Sequence, residues 1–208
     1  MALNTNGRNA LVNGLASVVT HISVHSAVPD DNGSNELTGG TYARLPVTWT
    51  AAANGVRDNQ GQLDHNIPAG STVVAYGLWS ALTVGTFYGY IPRTGTGEAL
   101  FGFGSVDAAG VTADAIQSAG HGLANGMRVL LYNVLAETLP GGLAEGTLYY
   151  VVAAATDTFE VSLTEGGASV NITSQGELFW QRAVPETFAS AGLLSTAAGA
   201  LDLSTAVI

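Results

Sequence analysis

Residues 71–92 read STVVAYGLWSALTVGTFYGYIP, a stretch without a single charged side chain. Its apolar run is Val73, Val74, Ala75 and Tyr76, followed by Leu78 and Trp79. A run of this kind over 71–82 predicts a strand buried on both faces, at the centre of a sheet. GTFYGYIP at 85–92 predicts the next strand, and LDHNIP at 63–68 the one before. Further upstream the period is also two. In HISVH (21–25), Ile22 and Val24 point one way, and His21, Ser23 and His25 the other. TYARLPVTWT at 41–50 reads as a strand in which Pro46 argues for an edge or a bulge. The connections PDDNGSNELTGG (29–40) and Asn54-Gly55 are dense in turn formers. This half of the chain is therefore predicted to be antiparallel β.

Outward from this core, residues 4–19 predict the one helix. Leu11, Leu15, Val18 and Val19 fall at i, i+4, i+7 and i+8, one apolar face, and Asn4, Thr5 or Asn6 can cap it. A second module is expected from Ser105 to Arg182. It has strands at MRVLLY (127–132), GTLYYVVAAA (146–155), TDTFEVS (156–162), SVNIT (169–173) and GELFWQR (176–182), with a turn signal every 8–12 residues. The closing segment 183–208 alternates in ALDL and needs a sheet to join. The organisation expected is a base domain in two pieces, 1–104 and 183–208, around an inserted small all-β module, 105–182. The base is expected to be an antiparallel sandwich or barrel-like, with one N-terminal helix.

Composition narrows the function. Sixteen acids against six bases give a net charge of −10, which repels nucleic acid, so no direct nucleic-acid partner is expected. All six bases are arginine. Without lysine there is no Walker or Schiff-base lysine, and without cysteine no thiolate nucleophile and no Cys-ligated zinc or iron–sulfur cluster. Neither a signal peptide nor an apolar run of about 18 residues is seen, so no membrane span is expected and the chain is read as made in the cytoplasm. Charged residues make up only 11% of the chain, which implies that much of its surface is covered by partners.

The candidate chemistry is sparse. His21 and His25 share a strand face but lie about 13 Å apart along it, too far for one metal ion. DDNGSNE (30–36) is rich in oxygen ligands, yet Gly33 is fourth from Asp30, not sixth as in an EF-hand, so a solvated turn is expected. Asp64 and His65 are adjacent on a strand and point to opposite faces, and no GxSxG elbow supplies a nucleophile. His121 reads as a hydrogen-bonding residue at a turn. Asn171-Ile172-Thr173 matches a glycosylation sequon only by pattern. Trp49, Trp79, Trp180 and the tyrosines could stack a sugar or pack in the core or an interface, and Trp79, in an apolar run, reads as core. Trp180, with Phe179 beside it, is the better exposed candidate for a glycan or interface contact, against packing in the core or an interface, which is the favoured reading. No catalytic, metal or cofactor residues are assigned.

Four segments carry a resemblance: NALVNGLASVVTHISVHSA, NELTGGTYARLPVTW, IPAGSTVVAYGLWSALTVGTFYGY and PETFASAGLLSTAAGALDLS. They resemble small virion proteins of tailed phages, of the tail-fibre or minor structural kind, over residues 8–93 and 183–208. The middle block is similar to small β-modules found within phage tail and surface proteins. The resemblance implies a structural, non-enzymatic protein of the virion, on capsid or tail, with no cofactor. Its implied partners are copies of itself, a homotrimer favoured, and major capsid or tail proteins. A receptor- or glycan-binding tail module is the alternative, with a host surface glycan as partner, and a glycan depolymerase the more distant one.

Overall fold

A computed structural model describes residues 3–94, 100–134 and 137–204. The chain is mainly β and its strands pair antiparallel, as expected. It divides into two compact units, Met1–Pro92 with Glu186–Ile208, and Arg93–Pro185.

The first unit opens with α1 (Thr5–Val18), capped by Asn4, whose side chain accepts the Gly7 N–H at 3.0 Å. The helix turns Leu15 and Val19 of the expected face inward together with Val12 and Ala16, whereas Leu11 is 52% exposed and Val18 37%. The reason is polar as well as apolar. Asn9 accepts the Gly55 N–H at 2.7 Å and Asn13 accepts from Arg57 at 3.2 Å, which turns the Val12 side inward. The strands that follow are β1 (His21–His25), β2 (Leu45–Pro46), β3 (Val56–Asp58), β4 (Leu63–Ile67), β5 (Ser71–Val73), β6 (Ala75–Trp79) and β7 (Phe87–Pro92). One sheet has the order β2-β1-β6-β7. Pro46 sits on its edge strand, where a missing N–H is tolerated. The run at 71–82 is two strands rather than one: the N–H of Val74 turns aside to the carbonyl of His25. Every residue of β6 is buried, as its central position requires.

The second unit holds β8 (Phe101–Val106), α2 (Ala108–Ala113), β9 (Ala115–Gln117), β10 (Arg128–Asn133), β11 (Leu148–Val152), β12 (Thr158–Ser162) and β13 (Gly176–Ala183). The strands close into a barrel, in the order β10-β11-β12-β9-β8-β13. Alternate residues fill it: Ile116, Val129, Leu131, Tyr149, Val151, Phe159, Val161, Leu178 and Trp180. The module is not all-β, because α2 bridges β8 and β9. Asp107 caps it by accepting the Gly110 N–H at 2.8 Å, and Asp114 ends it with φ +56. The expected strand SVNIT does not form. Its Ile172 N–H goes to the Asp114 carboxylate at 2.7 Å instead of to a ladder, and Ile172 is 1% exposed within the core. At the ends of this unit, the Val184 N–H donates to the Arg93 carbonyl at 2.6 Å and Arg93 Nη1 donates back to the Val184 carbonyl at 2.5 Å.

Three short strands return to the first unit: β14 (Glu186–Phe188), β15 (Gly192–Thr196) and β16 (Asp202–Ser204). They pair with β5, β4 and β3 respectively. Buried Asn59 holds the turn between the last two. Its amide donates to Gly61 and Ala197 carbonyls, and its oxygen accepts from Ala200 and Leu201. All four of its hydrogen-bonding positions are thereby used.

In the β3–β16 pair, Asp202 lies directly across from Asp58. Partial burial, a hydrogen bond with Asp58 and the Asp58 charge push the Asp202 carboxyl up to about 6. A carboxyl raised above its ordinary value stabilises the fold at low pH, and that stabilisation is lost as pH rises through about 6. Asp202→Asn is therefore expected to raise stability at pH 8 by about 1 kcal/mol, after allowance for solvent screening. Urea midpoints of the two proteins converge near pH 4; an equal gap at both pH values contradicts this account.

Candidate functional site

The residues of the first unit's sequence motifs converge on one polar cluster. His25 Nδ1 faces the Ser34 carbonyl at 2.7 Å, which can only accept, so this nitrogen carries the proton. Nε2 then accepts from Ser23 Oγ at 2.6 Å, and Ser23 Oγ in turn accepts the Trp79 indole N–H at 2.9 Å. Burial holds the His25 pKa below its ordinary value, consistent with a neutral ring. A serine hydroxyl on a histidine oriented by a third group has the outline of an activated nucleophile. Here both residues are 0% exposed, so no substrate reaches them. The chain acts as an internal brace between β1 and β6.

Beside it, Arg44 makes a two-pronged pair with Glu36, Nε to Oε1 at 2.9 Å and Nη2 to Oε2 at 2.7 Å. Its guanidinium lies 3.5 Å from the centre of the Trp79 ring. Tyr42 donates to Glu36 at 3.1 Å and accepts the Val24 N–H at 3.0 Å. The remaining guanidinium nitrogen, Nη1, donates to the carbonyls of Ala81 (3.1 Å) and Val84 (2.6 Å), clamping the loop between β6 and β7. Val84 is 86% exposed with φ +58, a costly conformation for a β-branched residue. The family-like segments containing GGTYAR and GLW are thus parts of one lock.

The other sequence candidates lie apart. His21 meets Thr20 Oγ1, away from the buried His25. Asp30 accepts the N–H groups of Asn32 and Ser34, closing its own turn. Asp64 is exposed and bound by Gln62, whereas His65 is buried and faces the Ile22 carbonyl at 3.1 Å. Trp49 donates to the Val19 carbonyl from within the core. His121 faces the Thr158 carbonyl and accepts the Leu123 N–H. An open hollow of about 580 Å³ beside it is lined by Gly120, Gly122, Leu123, Ala154, Ala155 and Thr156, which converge no charged group on it. Among the described residues no three His, Asp or Glu side chains gather as metal ligands, and no helix is long and apolar enough to cross a membrane.

Trp180 is not exposed. It is 2% accessible inside the barrel, where its N–H donates to Ser118 at 2.9 Å. Alternation along β13 sends Leu178 and Trp180 inward and Glu177 and Phe179 outward. Phe179 is 38% exposed. Its cross-strand neighbour is Phe103 on β8, with ring centres 5.8 Å apart and planes at 75°. Phe101, 65% exposed, lies two residues away on the same face. Phe101 and Phe103 are residues the sequence reading passed over. The signal was FGFG at 101–104. Glycine takes the inward positions because a Cβ at Gly102 would come within 2.7 Å of the Trp180 ring, and one at Gly104 within 2.8 Å of Ile116.

The chain is thus a mainly β protein whose buried polar clusters brace its sheets. Comparison with protein families makes this more specific. Residues 7–98, a little under half of the chain, match the family described as Podophage GP4 fiber I protein gp80, which supports a phage tail-fibre-like structural protein family. No curated protein and no solved structure matches the chain significantly. The matched residues contain the whole Ser23–His25–Trp79 and Glu36–Tyr42–Arg44 lock.

Proposed function

We propose that this chain is a non-enzymatic structural protein of a tailed-phage virion, working as a homo-oligomer, a homotrimer favoured, and contacting the major capsid or tail proteins. The family match carries the reading, because its name is that of a fibre. The site geometry supports it: the Ser23–His25 pair is sealed, and the arginine clamp is satisfied by its own unit. We also read Arg93–Pro185 as a module inserted into the first unit, since both ends of the chain contribute to that unit. The module needs no metal or cofactor in this reading.

The test is localisation and mass together. Gold-labelled antibody against the chain decorates purified phage particles, and sedimentation of the full chain gives a mass above that of one copy. Absence from particles, or one-copy mass at every concentration, removes the proposal.

A further inference from the structure

On the barrel, Phe101 and Phe103 of β8 and Phe179 of β13 form a contiguous aromatic patch, 65%, 46% and 38% exposed. The strand carrying two of them is built inside out, with glycines toward the core and phenylalanines toward water. β13 is paired on both sides, with β10 and β8, and β8 is paired with β13 along its whole length, so the backbone under the three rings is held in the ladder. Exposed aromatics held on rigid strands are the usual anchors of protein interfaces.

The occupant follows from charge and ring geometry. Each copy carries −10, and acids outnumber arginines eight to two in residues 105–182. Two copies therefore repel except through an uncharged face. Along the patch the residues paired across the two strands are Phe103 with Phe179 and Phe101 with Gln181, and among the outward residues of this pairing Glu177, at the rim, is the one that carries a charge. A sugar-stacking surface presents ring faces side by side. Phe103 and Phe179 stand edge to face, at 75°, an arrangement that extends by adding further rings. We propose that this patch is where copies of the chain meet, each burying the same three phenylalanines at a symmetry axis. The proposal rests on the homo-oligomeric reading above and assigns its contact surface.

The test uses the full chain. The triple variant Phe101→Ser, Phe103→Ser, Phe179→Ser alters only outward side chains, so it keeps the wild-type circular dichroism. It is expected to sediment as a single copy at concentrations where the wild type is oligomeric. Because the chain has no cysteine, Phe103→Cys alone gives a clean second readout. Around a symmetry axis it forms an intermolecular disulfide under mild oxidation, seen as a dimer band lost on reduction. An oligomeric triple variant, or no crosslink from Phe103→Cys, overturns the patch and leaves the homo-oligomer reading standing. A wild type that is a single copy throughout overturns both. Wild-type binding on a neutral glycan array that the triple variant loses overturns the proposal in favour of a glycan surface.

Discussion

Gly77→Ala is expected to destabilise the first unit by about 3 kcal/mol, roughly 10 °C in its melting midpoint. Gly77 lies in the middle of β6, opposite Ser23. A Cβ there falls well inside van der Waals contact of both His25 Nε2 and Ser23 Oγ. Neither can move freely. Ser23 holds the Trp79 indole, His25 holds the Ser34 carbonyl, and both are wholly buried. Displacing them leaves buried donors without acceptors, which adds desolvation to overpacking. Gly14→Ala is the matching control, because nothing lies within 4 Å of its new methyl on the exposed side of α1. It is expected to stabilise by about 0.5–1 kcal/mol through helix propensity alone. Equal midpoints for the two variants in thermal unfolding refute the brace.

The second large effect is in the barrel. Phe159→Ala is expected to cost about 4 kcal/mol. Phe159 is 0% exposed, and its ring packs at right-angle-like geometry on His121, 5.1 Å away, and Trp180, 6.0 Å away. The barrel is closed by backbone bonds on all sides, so it cannot collapse into the space left, and the cavity term is near its upper range. The loss appears as a lower denaturant midpoint for the barrel's transition, followed by intrinsic fluorescence, to which Trp180 contributes from inside the barrel. A loss below about 1 kcal/mol means the barrel interior relaxes.

These two positions differ in how far the sequence reveals them. Phe159 sits in TDTFEVS, whose alternation places it inward at sight. Gly77 looks like any glycine in an apolar run. Its necessity comes from His25, more than fifty positions away, crossing the sheet at that register. The same limit governs the helix. Residues 10–19 carry two overlapping apolar stripes, and contacts from Gly55 and Arg57 choose between them. Short-range order was legible where one face is wet, as in β4. It failed at SVNIT, where a carboxylate from a distant turn takes the N–H that a ladder would use.

Trp180 and Phe179 show the limit most clearly at the candidate site. Period two says that they face opposite ways, but not which way is in. Gly102 on β8 and Ser118 just past β9 decide it by leaving room and an acceptor for the indole. The glycine–phenylalanine alternation of β8 carried that information, in a form that resembles a flexible loop when read without its partner strand.

The clasp between Arg93 and Val184 has a consequence for the order in which the chain folds. Strands β14, β15 and β16 meet partners that precede them by more than a hundred residues, in reversed succession. In an open chain such pairings are slow, because a long loop must close before any contact rewards it. A barrel that has already formed brings its own two ends together and reduces that loop to a few effective links. The saving is on the order of 3 kcal/mol of closure entropy. If the barrel forms first, the late strands are expected to close one after another from β14 onward, like teeth on a fastener whose slider starts at residue 186.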